Sequence, residues 1–106
     1  SMVVDKVALP SSLPAPGGPV QFVVTVTNSS AETDPLTLFS LVDDVYGNIT
    51  RVQGRITRTN CVVPRQIVPG GIYQCSFIGQ VTGNDGFVET GVTGSLRVLR
   101  RAVIAD

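Results

Sequence analysis

The sequence contains no histidine and no tryptophan. Without histidine, neither a Ser-His-Asp triad nor a Cys-His dyad can be assembled within this chain. Charged residues are few, at 15%, and the eight basic and eight acidic side chains cancel to a formal net charge of zero. A general electrostatic grip on nucleic acid or on an anionic membrane is therefore not expected. No apolar run approaches the roughly 18 residues that a membrane-spanning helix requires. Alanine, glutamate and lysine, the usual helix-surface residues, are scarce. Carboxylate-pair catalysis needs two acids facing across a cleft, and the adjacent Asp43 and Asp44 would point apart in an extended chain. The expectation is a protein that is not an enzyme and carries no cofactor.

What remains is a chain of 106 residues, 42% hydrophobic, with 11 glycines and 7 prolines. That length supports one core and one domain, residues 1–106. Valine and threonine are abundant, and with many turn formers this favours an all-β fold. Ser1-Met2 reads as a cloning scar ahead of a domain excised from a longer chain. The only two cysteines, Cys61 and Cys75, are expected to pair in an oxidising compartment. A loop of that length contributes on the order of 3 kcal/mol when closed.

Two stretches organise the chain. In the first, Pro16-Gly17-Gly18-Pro19 feeds a β-branched run in which Val20, Phe22, Val24 and Val26 alternate with Gln21, Thr25 and Thr27, Val23 excepted. In the second, Pro69-Gly70-Gly71 feeds a run with Tyr73, Cys75, Phe77 and Val81 on one side and Gly79 in phase. This is the period of strands with one buried face. Around them, Val3 to Leu9 reads as a short edge strand, and the proline-rich 10–19 segment as the crossing between sheets. Leu36 to Val42 reads as a strand whose phase breaks near Phe39, either from burial on both faces or from a bulge. Asp43 to Asn48 reads as a turn. Ile49 to Thr59 reads as a strand with Val52 and Ile56 on one face and Arg51, Gln53, Arg55 and Thr57 on the other. The segment 60–68 reads as a loop, 82–86 as a hairpin turn, and Val88 to Val92 and Leu96 to Ile104 as the last strands. Arg97, Arg100 and Arg101 discourage edge pairing there. The count is about seven strands, in a sandwich or barrel.

The chain resembles the immunoglobulin-like conserved-repeat domain of large bacterial and archaeal surface proteins. The resemblance is carried by Asp5-Lys6, Pro16-Gly17-Gly18, the run from Phe22 to Ser29, Leu41-Val42-Asp43-Asp44, Ile67-Val68-Pro69-Gly70-Gly71 and Cys75-Ser76-Phe77. It implies an immunoglobulin-like Greek-key β-sandwich, export to the cell surface, and a spacer or adhesion-stalk role without catalysis. Its expected partners are neighbouring domains of the same chain and other surface proteins or glycans, the isolated domain being a monomer. The chain departs from the family at Gly94 to Arg101, where related repeats carry an Asp-rich stretch; that marks a terminal or atypical repeat.

Three further groups are candidates for binding. Asp34, Asp43, Asp44, Asn48 and Asp85 are oxygen donors of the kind calcium takes, with Asp43, Asp44 and Asp85 foremost, but no run has the spacing of a known calcium loop. Arg51, Arg55 and Arg58, with Arg65 nearby, form a basic face suited to anionic glycans or an acidic neighbour; with no alternating aromatics, it does not suit nucleic acid. Asn28-Ser29-Ser30 and Asn48-Ile49-Thr50 match the N-glycosylation acceptor pattern, although asparagine is expected at strand ends for turn reasons alone. Of the aromatic residues only Tyr46 and Phe87, at loop borders, are candidates for a sugar platform, and core or rim packing is the expectation for both. The alternative to a spacer is thus a carbohydrate-binding-like accessory module of a secreted enzyme.

Overall fold

The computed structural model describes residues 2–14, 16–29 and 35–82, together with the backbone of strands at 88–90, 95–98 and 103–105. Its strands are β1 (Met2–Leu9), β2 (Ser12–Pro14), β3 (Gly17–Asn28), β4 (Leu36–Leu38), β5 (Leu41–Asp43), β6 (Gly47–Asn48), β7 (Ile56–Thr59), β8 (Arg65–Ile67), β9 (Ile72–Thr82), β10 (Val88–Thr90), β11 (Ser95–Val98) and β12 (Val103–Ala105). There is no helix among the described residues. The expected all-β class is therefore observed. The strands form antiparallel sheets in the orders β1-β3-β9-β7, β10-β11-β2, β12-β5-β6 and β4-β8.

The two Pro-Gly-Gly stretches become the central pair, β3 and β9, running from Gly17 opposite Thr82 to Thr27 opposite Ile72. Gly17 explains one of the two devices. It has φ +120°, and a Cβ there would lie 2.0 Å from the carbonyl oxygen of Val81, so only glycine lets β3 begin against β9. Asn28 explains the other. It is fully buried, and its side-chain amide donates to the carbonyl of Ile67 at 2.8 Å. Its backbone donates to Gly71 and accepts from Gly70. One asparagine therefore holds the second turn against the end of the first strand and satisfies its own burial.

Alternation holds on the inner face. Val20, Phe22, Val24 and Val26 of β3 and Cys75, Phe77 and Val81 of β9 are buried, and they meet Leu38, Leu41, Tyr46, Ile49 and Ile67 from the strands and turns opposite. Phe22, Tyr46 and Phe77 form a triangle with centroid separations of 5.4, 5.1 and 5.6 Å, within the range of favourable ring contacts. Tyr46 lies over Gly79, and its hydroxyl donates to the carbonyl of Gln80 at 3.1 Å.

The differences from expectation have local causes. The phase break at Phe39 is neither two-sided burial nor a bulge. The strand ends at Leu38, exposes Phe39, and restarts at Leu41 in another sheet, so Leu38 and Leu41 are both buried. Ile49 to Thr59 is a strand only from Ile56; the side chain of Gln53 donates to the carbonyls of Tyr46 and Asn48 and folds the preceding segment into a turn. Val52, expected beside Ile56, is 64% exposed as a result. The supposed loop at 60–68 contains β8. The expected last strand is divided into β11 and β12, and the hairpin turn at 83–86, with Arg100 and Arg101, lies outside the described residues. The proline-rich segment does not carry the chain to another sheet: β1 and β3, on either side of it, pair with each other, and only the short β2 within it leaves to pair with β11.

Gly79 offers a direct check of this packing. A Cβ there would lie 2.7 Å from two atoms of the Tyr46 ring, which is pinned by its own hydrogen bond. Gly79→Ala is expected to destabilise the domain by about 1–3 kcal/mol through overpacking, read as a lowered midpoint in chemical denaturation with fluorescence detection of tyrosine.

Candidate functional site

The structure's most unusual group is a buried ion pair. β1 faces the core with Lys6 and Ala8, while Val3, Val7 and Leu9 are exposed. The ammonium of Lys6 donates to Asp43 Oδ2 at 2.7 Å, with side-chain exposures of 5% and 0%. The other oxygen, Oδ1, accepts from the backbone N–H groups of Val45 at 2.8 Å and Tyr46 at 3.2 Å. Lys6 Nζ also sits 5.2 Å from the centroid of the Phe22 ring. The chain forms this arrangement because Asp43 ends β5 and turns the backbone through Asp44 and Val45 into β6, an Asx-type turn whose free N–H groups close on the carboxylate. β1 is a sheet edge, as expected, yet it is the charged residue and not its valines that it turns inward.

This placement corrects the reading of Asp43 as an open loop ligand. Both of its oxygens accept hydrogen bonds from within the protein, leaving it no outward face. Asp44 is exposed. Asp34 and Asp85 lie outside the described residues. Asn48 Oδ1 accepts from the backbone and hydroxyl of Thr50, at 2.9 and 2.6 Å. Among the described residues, no group of three acidic or metal-binding side chains converges.

The cysteines are joined. The Cys61–Cys75 disulfide has Cα atoms 5.0 Å apart and spans 14 residues, and both cysteines are buried. The segment after β7 reaches β9 because Asn60 and Ser76 exchange hydrogen bonds: Asn60 N–H to the Ser76 carbonyl at 3.0 Å, and Ser76 N–H to Asn60 Oδ1 at 2.8 Å. The loop so closed contains β8, the strand whose Ile67 carbonyl Asn28 holds. The hydroxyl of Tyr73 accepts from Val62 N–H in the same loop, and the guanidinium of Arg65 stands 5.3 Å from the Tyr73 ring centroid.

A shallow groove of about 410 Å³ lies on the outer face of β3, β9 and β7, lined by Gln21, Arg58, Thr59, Asn60, Ser76 and Ile78. A smaller hollow of about 190 Å³ shares Gln21, Asn60 and Ser76 with it and adds Val23 and Gln74. The expected basic face does not assemble here. Arg58 alone reaches the groove; Arg55 lies 5.2 Å from the Tyr46 ring centroid, and Arg51 is exposed in the turn. They separate because only Arg58 is on β7, where a register irregularity between Ile56 and Arg58 sets it opposite Ile78. Tyr46 is a core residue and no platform, and Phe87 lies outside the described residues.

In the sequence Lys6 stood out only through the family resemblance and Gln21 only through its strand phase; Asn60 and Gln74 carried no signal of their own. The available signal was a lone charge of each sign, Asp5-Lys6, at the middle of an apolar strand, where one of the two must face inward. Searches against protein-family models, curated proteins and solved structures find no match.

Two outcomes follow from this geometry. Lys6→Met strands the Asp43 charge in the core and is expected to lower stability by about 3–5 kcal/mol, while adding Asp43→Leu to Lys6→Met removes that charge and is expected to be more stable than Lys6→Met alone; equilibrium denaturation of the three proteins reads the difference. Cys61→Ala with Cys75→Ala is expected to lose on the order of 3 kcal/mol, measured the same way without reductant.

Proposed function

We propose that this domain is a non-catalytic immunoglobulin-like β-sandwich, a spacer or stalk repeat in an extracellular or cell-surface protein. The observation that carries the reading is its form: a slender body of 51 × 25 × 17 Å, built from antiparallel strands and stapled inside by a disulfide. A spacer has to hold its length outside the cell, and both properties serve that end. Two further points support it. The disulfide fits an oxidising compartment, and no helix among the described residues is long and apolar enough to cross a membrane. The resemblance to surface-protein repeats points the same way, with adjoining domains of the same chain as first partners and other surface proteins or glycans as further ones.

A second reading has one specific observation behind it. The outer groove gathers amide and hydroxyl side chains beside a single arginine, a donor and acceptor set that suits a sugar. In that case the domain is a carbohydrate-binding accessory module of a secreted enzyme. Its groove offers no exposed aromatic ring for stacking, which favours the spacer.

Labelling of intact cells that make the parent protein separates these readings from an internal role. A membrane-impermeant amine reagent, read by mass spectrometry over the whole parent, is expected to modify it without lysis; modification only after lysis would overturn the surface assignment. Retention of the domain on a polysaccharide panel, lost in Arg58→Ala and Asn60→Ala, would replace the spacer with the accessory module. The expected result is no retention.

A further inference from the structure

We propose that Lys6 and Asp43 condense to an amide, so that the domain carries a second covalent link besides its disulfide. The inference concerns this pair alone and stands whether or not the domain is a spacer. Four observations converge on it. The amine and the carboxylate are already in contact, at 2.7 Å, so no encounter has to be organised. Both side chains are almost wholly buried, with the Lys6 ammonium beside the Phe22 ring, where water is excluded and hydrolysis of the product is hindered. The second carboxylate oxygen, Oδ1, is held by two backbone N–H groups, from Val45 and Tyr46, at 2.8 and 3.2 Å. That is the donor arrangement that stabilises the oxyanion of an acyl-transfer intermediate. Finally, the ammonium and carboxylate give up much hydration to be buried, whereas the amide they would form is neutral.

The step balances with nothing added. A proton passes from Lys6 Nζ to Asp43 Oδ2 along the existing hydrogen bond. The lone pair so freed attacks the carboxyl carbon, forming the N–C bond and placing negative charge on Oδ1 between the two N–H groups. A second proton moves from nitrogen to Oδ2. The bond from carbon to Oδ2 breaks, Oδ2 leaves as water, and Oδ1 returns to a carbonyl. No electron is gained or lost, and no oxidant, metal or nucleotide is required. The two backbone N–H groups supply the stabilising contact to Oδ1. The link would join β1 of the four-stranded sheet to β5, which pairs with β6 and β12 and shares no ladder with β1. The disulfide, by contrast, ties the segment after β7 to β9 within reach of the same sheet row, where Lys6 stands opposite Val24 and Val24 opposite Cys75.

The sequence makes the test unusually clean, because Lys6 is the only lysine. The intact domain is reduced, fully denatured and weighed, then treated with an amine-reactive reagent whose other target is the N-terminus. The expected result is a mass one water below that of the reduced sequence, one label and not two, and a branched proteolytic fragment that joins the segments around residues 6 and 43. Asp43→Ala is expected to keep its full mass and take both labels. Asp43→Asn supplies an independent check, because its condensation expels ammonia and converges on the mass of the linked wild type. Since each mass is read on denatured chains, loss of folding in Asp43→Ala does not obscure the wild-type result. A wild-type chain at full mass with Lys6 labelled, after prolonged incubation of the folded domain, overturns the proposal, as does loss of water that persists in Asp43→Ala.

Discussion

The placement of β1 depends on the contact between Lys6 and Asp43. By hydrophobicity alone the strand would choose the opposite face. Val3, Val7 and Leu9 point to solvent while Lys6 points in, and burying a valine or leucine is worth about 1.5–3 kcal/mol. A slip of one residue would bury those three, but it would also turn every other side chain over. Asp5 would then enter the core beside Asp43, and Lys6 would leave it. Two carboxylates would share a buried site without a cation, and breaking such a pair costs about 3–5 kcal/mol before their repulsion is counted. The gain is offset further because Met2, Val4 and Ala8, now at least partly buried, would be exposed. The order Asp5-Lys6 therefore specifies register: only the basic residue can stand opposite the acid that ends β5.

Around this contact the inner and outer faces of the four-stranded sheet have different characters. The inner face is closed by the Phe22, Tyr46 and Phe77 triangle, and Gly79 makes room for the Tyr46 ring that completes it. The turn that delivers Tyr46 is the same turn that closes on Asp43, so ion pair and aromatic cluster form together. The outer face keeps the polar half of the alternation, with Gln21, Gln74 and Ser76 in adjacent strands. Asn60 holds the chain after β7 beside β9 at its backbone, the disulfide ties it on the inner face, and the groove lies on the outer face beside that seam.

What could be read from the sequence was what periodicity records. The central strands, their inward residues and the inward Cys75 all follow from period-2 alternation and turn chemistry, which are local. Short strands that change sheet escaped that reading. Leu38 and Leu41 are both buried because the chain re-enters the core from another sheet after Phe39, and spacing alone looks the same for a bulge. The 49–55 turn is stabilised by one side chain, Gln53, reaching back to two carbonyls, an interaction without a compositional signature. The candidate site divides in the same way. Pairing of Cys61 with Cys75 was legible because there was no other partner. The groove was not, since Gln21, Arg58 and Asn60 are brought together by pairing across the sheet and not by spacing in the chain.

Asn28 carries a consequence of a different kind. Its side-chain nitrogen, the atom a glycosyltransferase would modify, is consumed by the Ile67 carbonyl in a position with no exposure to solvent. The acceptor pattern at 28–30 is thus open only while the chain is unfolded. In a host that attaches glycans to that pattern during export, a sugar on Asn28 would mark molecules the transferase reached before β3 met the second Pro-Gly-Gly turn. It would also bar them from closing that turn afterwards. Occupancy at this one asparagine would serve as a clock, recording the order of two events in the life of the chain that the finished fold no longer displays.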